Sequence, residues 1–575
     1  MAFDPSAAKI AYFSMEIALE PTIPTYSGGL GILAGDMLRS AADMELPLVA
    51  VTLVYRKGFF RQKLDENGVQ SEDSDPWSPE KRLPQERPTA KVTIEGREVT
   101  LRAWRYEIVG MTGHVVPVYL LDADMPPNAP VDRALTDSLY GGDSHYRLCQ
   151  EALLGLGGVD MLHNLGLNQL ENYHLNEGHS SLLTVALLER ELQRRQSHDL
   201  IEADIQAVRR QCIFTTHTPV PAGHDKFTWP MIEGVLGEDR ARLLERSDCC
   251  LPDSLNLTYL ALRLSHYVNG VAMRHEEVSQ GMFPRYPIHA ITNGVHAVTW
   301  TSPAFQAMFD QHIPEWRKDN AYLRYAVGIP LKDIAKAHAK AKAALLKEVK
   351  RRSGVDFDPS TFTIGFARRA AAYKRANLLF SDLDALRALT QKVGPIQVIY
   401  AGKAHPKDGD GKAMIKLVFE AVTRLKNEIK VVWLEGYDIS LAKFITSGVD
   451  LWLNTPQPPQ EASGTSGMKA ALNGIPSLSI LDGWWIEGCF EGSTGWAIGQ
   501  DGGTQSSDPA GEAKSLYQKL GETILPLFYK SPEDYIKVMR SAIAVNGSFF
   551  NTQRMLAQYQ VNAYTPSALM KAEAR

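Results

Sequence analysis

Residues 450–473, DLWLNTPQPPQEASGTSGMKAALN, run from an apolar stretch through a proline-bearing loop into a Gly/Ser/Thr cluster that opens a helix carrying Lys469. The first N–H groups of a helix have no partner of their own and lie at the positive end of its dipole, so such a cluster suits an anion. Lys469 falls about one turn inside, where its amine can reach back toward that anion. A lysine so placed serves either as a point charge on a phosphate or as a Schiff base. A second stretch, FARRAAAYKR, puts Arg368, Arg369, Lys374 and Arg375 within eight residues with no acidic residue among them. Four like charges without a local counter-charge repel unless an anion is bound. Another base, Lys403, follows in AGKAHPKDGDGK. A third stretch, PTYSGGLGILAGDML, supplies Gly28, Gly29 and Gly31 ahead of a helical pattern, a turn whose backbone can approach an anion closely. Two further polar clusters, NEGHSSLL with His179 and HTPVPAGHD with His217, each follow an apolar run.

The elements that must position these residues are strands. In the first half, strands are expected over 10–15, 48–54, 90–94, 99–106, 115–121, 170–175 and 211–216, with a long helical stretch over 256–280. The second half opens with an amphipathic helix over 331–352, carrying Ile334, His338, Ala341, Leu345 and Val349 on one stripe and its lysines on a solvated face. Strands over 362–367, 396–401, 431–434, 449–453 and 477–481 then alternate with helices starting near 374, 411, 439 and 465, and further helices fill 513–544 and beyond. Such alternation gives an α/β protein with a doubly wound parallel sheet, whose ligand sites form at the C-terminal ends of the strands. Every cluster named above lies at such an end.

A chain of 575 residues is too long for a single core. Two domains are expected, 1–300 and 301–575. The composition, 44% hydrophobic and 22% charged, is that of a globular protein. A net charge of -5 leaves no basic surplus for coating nucleic acid. No leader pattern or membrane-length apolar run is present, so a cytoplasmic location is expected. The five cysteines have neither disulfide-framework nor zinc spacing, and the adjacent Cys249 and Cys250 read as plain thiols in a reducing compartment. No metal is expected.

One half thus offers cations and a helix N-terminus with Lys469, the other a glycine turn, and a cleft between them would suit two phosphates or one diphosphate. EASGTSGMKAALNG resembles the pyridoxal-phosphate lysine motif of the α-glucan (glycogen, starch, maltodextrin) phosphorylases. YFSMEI, SGGLG, NEGH, THTPVP, SHYVNGV, TNGV, RRAAAYKR, AGKAHP and EGYDISLAKF recur in that family's order over nearly the whole chain. The resemblance implies a GT-B architecture, two Rossmann-like domains facing across a deep cleft. It implies a hexosyltransferase that carries out reversible, retaining phosphorolysis of terminal α-1,4-linked glucose to glucose 1-phosphate. The cofactor, pyridoxal 5'-phosphate, would exchange a proton through its phosphate with inorganic phosphate.

Carried over by position, Lys469 would hold the cofactor, and the N–H groups around Thr465, Ser466 and Gly467 would anchor its phosphate with Arg368. Arg369 and Lys374, with the backbone of Gly28 and Gly29, would bind the substrate phosphate. His217 and Asn293 would touch the sugar, Glu461 and Ser463 would bond its hydroxyls beside Gly464, and Glu16 and Tyr437 would lie near it. Asp143 falls in the segment resembling the gate loop. Lys469, Arg369, Lys374 and His217 form the implied catalytic set. The family's habit makes a homodimer the expected assembly, with no nucleic acid or membrane partner.

The longer animal and plant members usually have lysine where Arg368 stands and a His-Glu pair where Ala371 and Ala372 stand, and they read GTGNMK in place of GTSGMK. The approach from YFSMEI to SGGLG is also shorter here, as expected of a short prokaryotic form without their control elements. Two competing readings are a nucleotide-sugar glucosyltransferase of the same architecture, similar to glycogen synthase, and a non-catalytic glucan-binding protein. The glucosyltransferases carry a lysine before the glycines, where this chain has Ser27, and lack the cofactor lysine.

Overall fold

The structure, a computed structural model, describes residues 4–247, 250, 251, 253–426, 428–499 and 508–565. Cys249 and the side chain of Cys250 lie outside the described residues, and so does the reading of them as thiols.

The protein is α/β, built on two large sheets. In the first, of nine strands among the described residues, Ile10–Ser14 is central. Leu48–Leu53 and Val115–Asp122 lie to one side of it, and Asn172–Asn176, Cys212–Thr215, Tyr267–Gly270 and His289–Ala290 to the other, all parallel. Arg97–Val109 and Gln85–Ile94 extend one edge antiparallel. IAYFS and LVAVTL are buried at every position, as strands covered on both faces must be. The second sheet has six parallel strands among the described residues, and numbered along the chain their order is 3-2-1-4-5-6. That is a doubly wound order, and the parallel part of the first sheet follows the same rule. The order reverses between Ile10–Ser14 and Asn172–Asn176 in one sheet and between Phe362–Ala367 and Leu451–Asn454 in the other. Ligands of such sheets bind at these reversal points.

The long helix Leu331–Ser353 buries Ile334, Ala341, Leu345 and Val349, the stripe expected from the sequence. Its lysines are not all solvated, however. Lys342 is buried with its Nζ 2.6 Å from Asp450 Oδ2, and His338 Nε2 lies 2.8 Å from Asp450 Oδ1. Asp450 also accepts from Thr363 N at 2.7 Å, so one carboxylate ties the helix to the two central strands.

Three other expectations change. Residues 256–280 are not one helix, because helix Leu257–Arg263 gives way to strand Tyr267–Gly270 and then to helix Met273–Met282. No α-helix starts near 374, because Arg375 takes a left-handed conformation (φ 47°) after a single turn, Ala372–Lys374, and helix Leu383–Val393 comes later. An additional strand, Gly495–Ile498, closes the sheet beyond Ser477–Ile480.

The halves interlock. The hairpin Arg61–Leu64/Gln70–Asp73 reaches from the first half to strand ends of the second. Gln62 donates to Gly402 O at 2.8 Å, and Gln70 both donates to Ala404 O at 2.9 Å and accepts from Ala404 N at 3.0 Å. In return, helix Thr552–Tyr559 packs on the first sheet, where Met555, Leu556 and Tyr559 share a core with Leu33, Met37 and Leu38. Tyr559 OH lies 2.9 Å from Thr215 Oγ1, and Tyr564 OH lies 2.7 Å from His174 Nδ1. Among the described residues no helix is long and apolar enough to cross a membrane.

Candidate active site

Strand Phe362–Ala367 ends in Arg368 and Arg369 at the reversal point of the second sheet. The expected uncompensated basic cluster is corrected here, because distant residues supply counter-charges. Arg368 Nη2 donates to Glu461 Oε2 at 2.6 Å, and Lys374 Nζ donates to the same oxygen. Burial would raise the Glu461 carboxyl, but these two cations hold it down at about 2. Arg375 is structural. It donates to Thr455 O at 3.0 Å and Pro456 O at 2.7 Å and pairs with Glu512, joining the ends of the two central strands. Arg369 is exposed and forms no ion pair among the described residues, although it lies within electrostatic reach of both Glu16 and Glu461.

The loop after strand Leu451–Asn454 is clamped from behind by residues 482–484. Asp482 Oδ2 accepts from Glu461 N at 2.9 Å, and Ser463 O accepts from Trp484 N at 2.9 Å. Gly483 has φ 55°, and a Cβ there would lie 2.3 Å from Ser463 O, so no other residue fits. Burial, reinforced by the Glu461 charge, pushes Asp482 up to about 7. Ser463 is buried, with its Oγ bonded back to Gly464 O at 3.4 Å, and Gly464 turns the chain with φ 74°. Thr465 precedes helix Ser466–Leu472 without a side-chain cap, so its hydroxyl takes none of the first N–H groups. Gly467 packs closely on Trp484, where a Cβ would meet Cζ2 at 2.7 Å.

Lys469 lies in this helix and is buried. Its Nζ sits 4.0 Å from the centre of the Trp300 ring, and no protein hydrogen bond holds it among the described residues. Burial lowers it to about 8, against a smaller opposing pull from Asp36. Asp36, itself buried, accepts from Trp300 Nε1 at 2.6 Å. An amine so placed is partly neutral near pH 7 and able to act as a nucleophile.

On the first sheet, Glu16 follows the central strand. Its Oε2 accepts from Ser27 N at 2.5 Å and Gly28 N at 3.2 Å, while Oε1 accepts from Tyr140 OH at 3.0 Å. Glu16 therefore fixes the glycine turn, and the Gly28 amide is already shared with it. The positions a Cβ would take at Gly28 and Gly29 meet no atom of the described residues within 4 Å. His217 ends the Cys212–Thr215 region with its Nε2 2.6 Å from Asn176 Oδ1. Asn176 Nδ2 donates to Ser14 Oγ at 3.0 Å, which makes Oδ1 the acceptor and places the proton of His217 on Nε2. Burial lowers His217 to about 4, with Glu177 opposing, so the ring is neutral. Asn293 is buried, and its Oδ1 has no partner among the described residues, an orphan acceptor that a hydroxyl would satisfy. Tyr437 is half-buried within the electrostatic reach of Arg368. Asp143 is exposed and caps helix Ser144–Ala152 through Tyr146 N at 2.9 Å.

The structure adds residues that the sequence did not single out. Glu177, in the left-handed region at φ 70°, accepts from Gly178 N, His217 N and Thr218 Oγ1 at 2.9, 2.7 and 2.9 Å, orienting the histidine loop. Tyr140 and Trp300 pack against Glu16 and Lys469 as described. For Glu177 the signals available were its place at a strand end and in the NEGH motif, neither of which separates it from its neighbours there. Glu151, His179 and Asp225 converge with metal-like spacing, but Arg147 supplies the cation among them, at 3.1 Å from Glu151 and 3.2 Å from Asp225.

Comparison with known proteins places this arrangement. Residues 16–109 and 238–491 match the family model described as carbohydrate phosphorylase. The chain is 37% identical to maltodextrin phosphorylase of Thermococcus litoralis over 98% of its own length and 71% of that protein. It is 37% identical to glycogen phosphorylase of Mycobacterium tuberculosis (97% and 71%) and 33% identical to that of Aquifex aeolicus (98% and 87%). The chain belongs to the carbohydrate phosphorylase family.

Proposed function

We propose that the protein is an α-1,4-glucan phosphorylase that uses inorganic phosphate to release terminal glucose from glycogen or maltodextrin as glucose 1-phosphate. The single observation carrying this reading is Lys469, a buried amine lowered to about 8 that no acceptor among the described residues holds. The residues present fit pyridoxal 5'-phosphate. Lys469 would bind its carbonyl carbon, and Arg368, whose Nε and Nη1 are buried without partners among the described residues, would hold its phosphate with the amides of Ser466 and Gly467. When bound, the cofactor supplies a phosphate able to exchange a proton with the substrate phosphate.

The two sheets would face each other in the GT-B manner, with their reversal points across a cleft and residues 1–300 and 301–575 as its principal walls. Arg369 and Lys374 would neutralise the incoming phosphate, aided by the Gly29 amide. Neutral His217, with Nδ1 left as acceptor, and Asn293 Oδ1 would take hydroxyl protons of the sugar and fix its orientation. Glu461 and Ser463 would border the same sugar. The test is release of glucose 1-phosphate from maltodextrin by purified protein supplied with pyridoxal phosphate. Release only in the presence of inorganic phosphate supports the reading, and glucosyl transfer from a nucleotide sugar without it defeats it.

A further inference from the structure

The loop after strand Ile396–Ala401 runs beside Arg368 and Arg369. Ala370 pairs with Ala404 in a parallel bridge, and Ala370 N donates to Lys403 O at 2.9 Å. Side chains alternate along such a pair. Ala370 and Ala404 point inward, buried with Ile415, so Arg369, Lys403 and His405 share the opposite face. Lys403 is engaged there, donating to Phe60 O at 3.2 Å. His405 Nδ1 accepts from Lys407 N at 3.1 Å, which puts the ring proton on Nε2. No acceptor among the described residues takes that proton. The ring lies 6.0 Å from Phe59, which packs edge-on at 6.4 Å against Tyr140, the residue bonded to Glu16.

The charged groups facing His405 are Arg369 on the neighbouring loop, Lys407 and Asp408 on its own, and Arg147 from the first half. Most are committed. Asp408 caps Gly411 N at 2.8 Å, Lys407 Nζ bonds Gly142 O, and Arg147 is held by Glu151 and Asp225. Arg369, whose one hydrogen-bond partner among the described residues is Tyr373 and which meets no carboxylate directly, and the His405 Nε2–H remain, a cation and a donor on one face.

We propose that His405 is a second ligand of the substrate phosphate beside Arg369, and that binding of this anion draws a proton from solvent onto the imidazole. The inference rests on the reading that Arg369 holds that phosphate. Burial, then the Lys407 and Arg369 charges, keep the ring below its ordinary range, so it is neutral near pH 7 before the anion arrives. A dianion beside it reverses the local field, and the imidazolium then donates a charge-assisted bond.

Sulfate is the probe, because unlike phosphate it does not titrate between pH 5 and 8. Calorimetry of the cofactor-loaded full chain near pH 7, in two buffers of different ionisation heat, should show uptake approaching roughly one proton per sulfate in the wild type. Affinity should weaken by roughly ten- to fiftyfold from pH 6 to pH 8. His405→Gln, which keeps a donor, should bind sulfate with about one proton fewer taken up than the wild type and with a flatter pH profile, and His405→Ala should bind more weakly still. Sulfate binding that is lost in Arg369→Ala yet shows the same proton uptake in His405→Gln as in the wild type overturns the His405 assignment alone. Sulfate binding unchanged in Arg369→Ala overturns the phosphate role of Arg369 on which it rests.

Discussion

The Glu461 carboxylate receives the Arg368 guanidinium at 2.6 Å across 93 residues of sequence, and the same oxygen receives Lys374. A protein carboxylate thus occupies the convergence of two bases that the proposed function assigns to phosphates. It competes with any anion for them.

Glu461→Gln removes that competitor. Phosphate or sulfate affinity should rise, by about tenfold if a single screened charge pair is relieved, while glucan use weakens. Titration of the variant against the wild type measures both, and unchanged anion affinity would show that Glu461 does not compete.

Arg369→Ala should lower kcat/KM for phosphate by roughly 10- to 150-fold, the worth of a charge-assisted hydrogen bond of about 1.5–3 kcal/mol. The KM for maltodextrin should stay near its wild-type value. Equal losses for both substrates would argue against the assigned role.

Asp482 gives a pH dependence of stability with a definite sign. Its folded-state pKa of about 7 lies above that of an unfolded aspartate, about 3.9. The folded state therefore keeps a proton that the unfolded state releases. The contribution is fully present below about pH 4 and is lost as pH rises to about 7, on the order of 4 kcal/mol. Asp482→Asn should flatten this decline in urea midpoints measured from pH 5 to 8. Identical slopes in both proteins would contradict it.

Lys342→Ala should destabilise the fold by about 3–5 kcal/mol, because it leaves the Asp450 carboxylate buried without its main cation. Chemical denaturation monitored by tryptophan fluorescence reads the shift.

Much of the frame was legible in the sequence for a physical reason. Strands buried on both faces are continuous apolar runs, and FTIGFA, IQVIYA and LVAVTL are such runs bounded by polar clusters. Strand Tyr267–Gly270 was not legible, because YVNG is short, polar and flanked by helices. The missing helix after Lys374 turns on one left-handed residue, Arg375, held by carbonyls about 80 residues away. The site divides in the same way. Lys469, Arg368 and the glycine turn stand out through local motif chemistry. The engagement of Glu461 by Arg368 and of Lys342 by Asp450 depends on pairings about a hundred residues apart, which no local pattern encodes.

The central claim is that Lys469 carries the cofactor. Protein incubated with pyridoxal 5'-phosphate, reduced with borohydride and digested, should carry a stable phosphopyridoxyl mass on the peptide containing Lys469, and Lys469→Ala should lose both this mass and the near-ultraviolet absorbance of the unreduced protein. Labelling of another lysine in its place, or full absorbance in Lys469→Ala, would contradict the account.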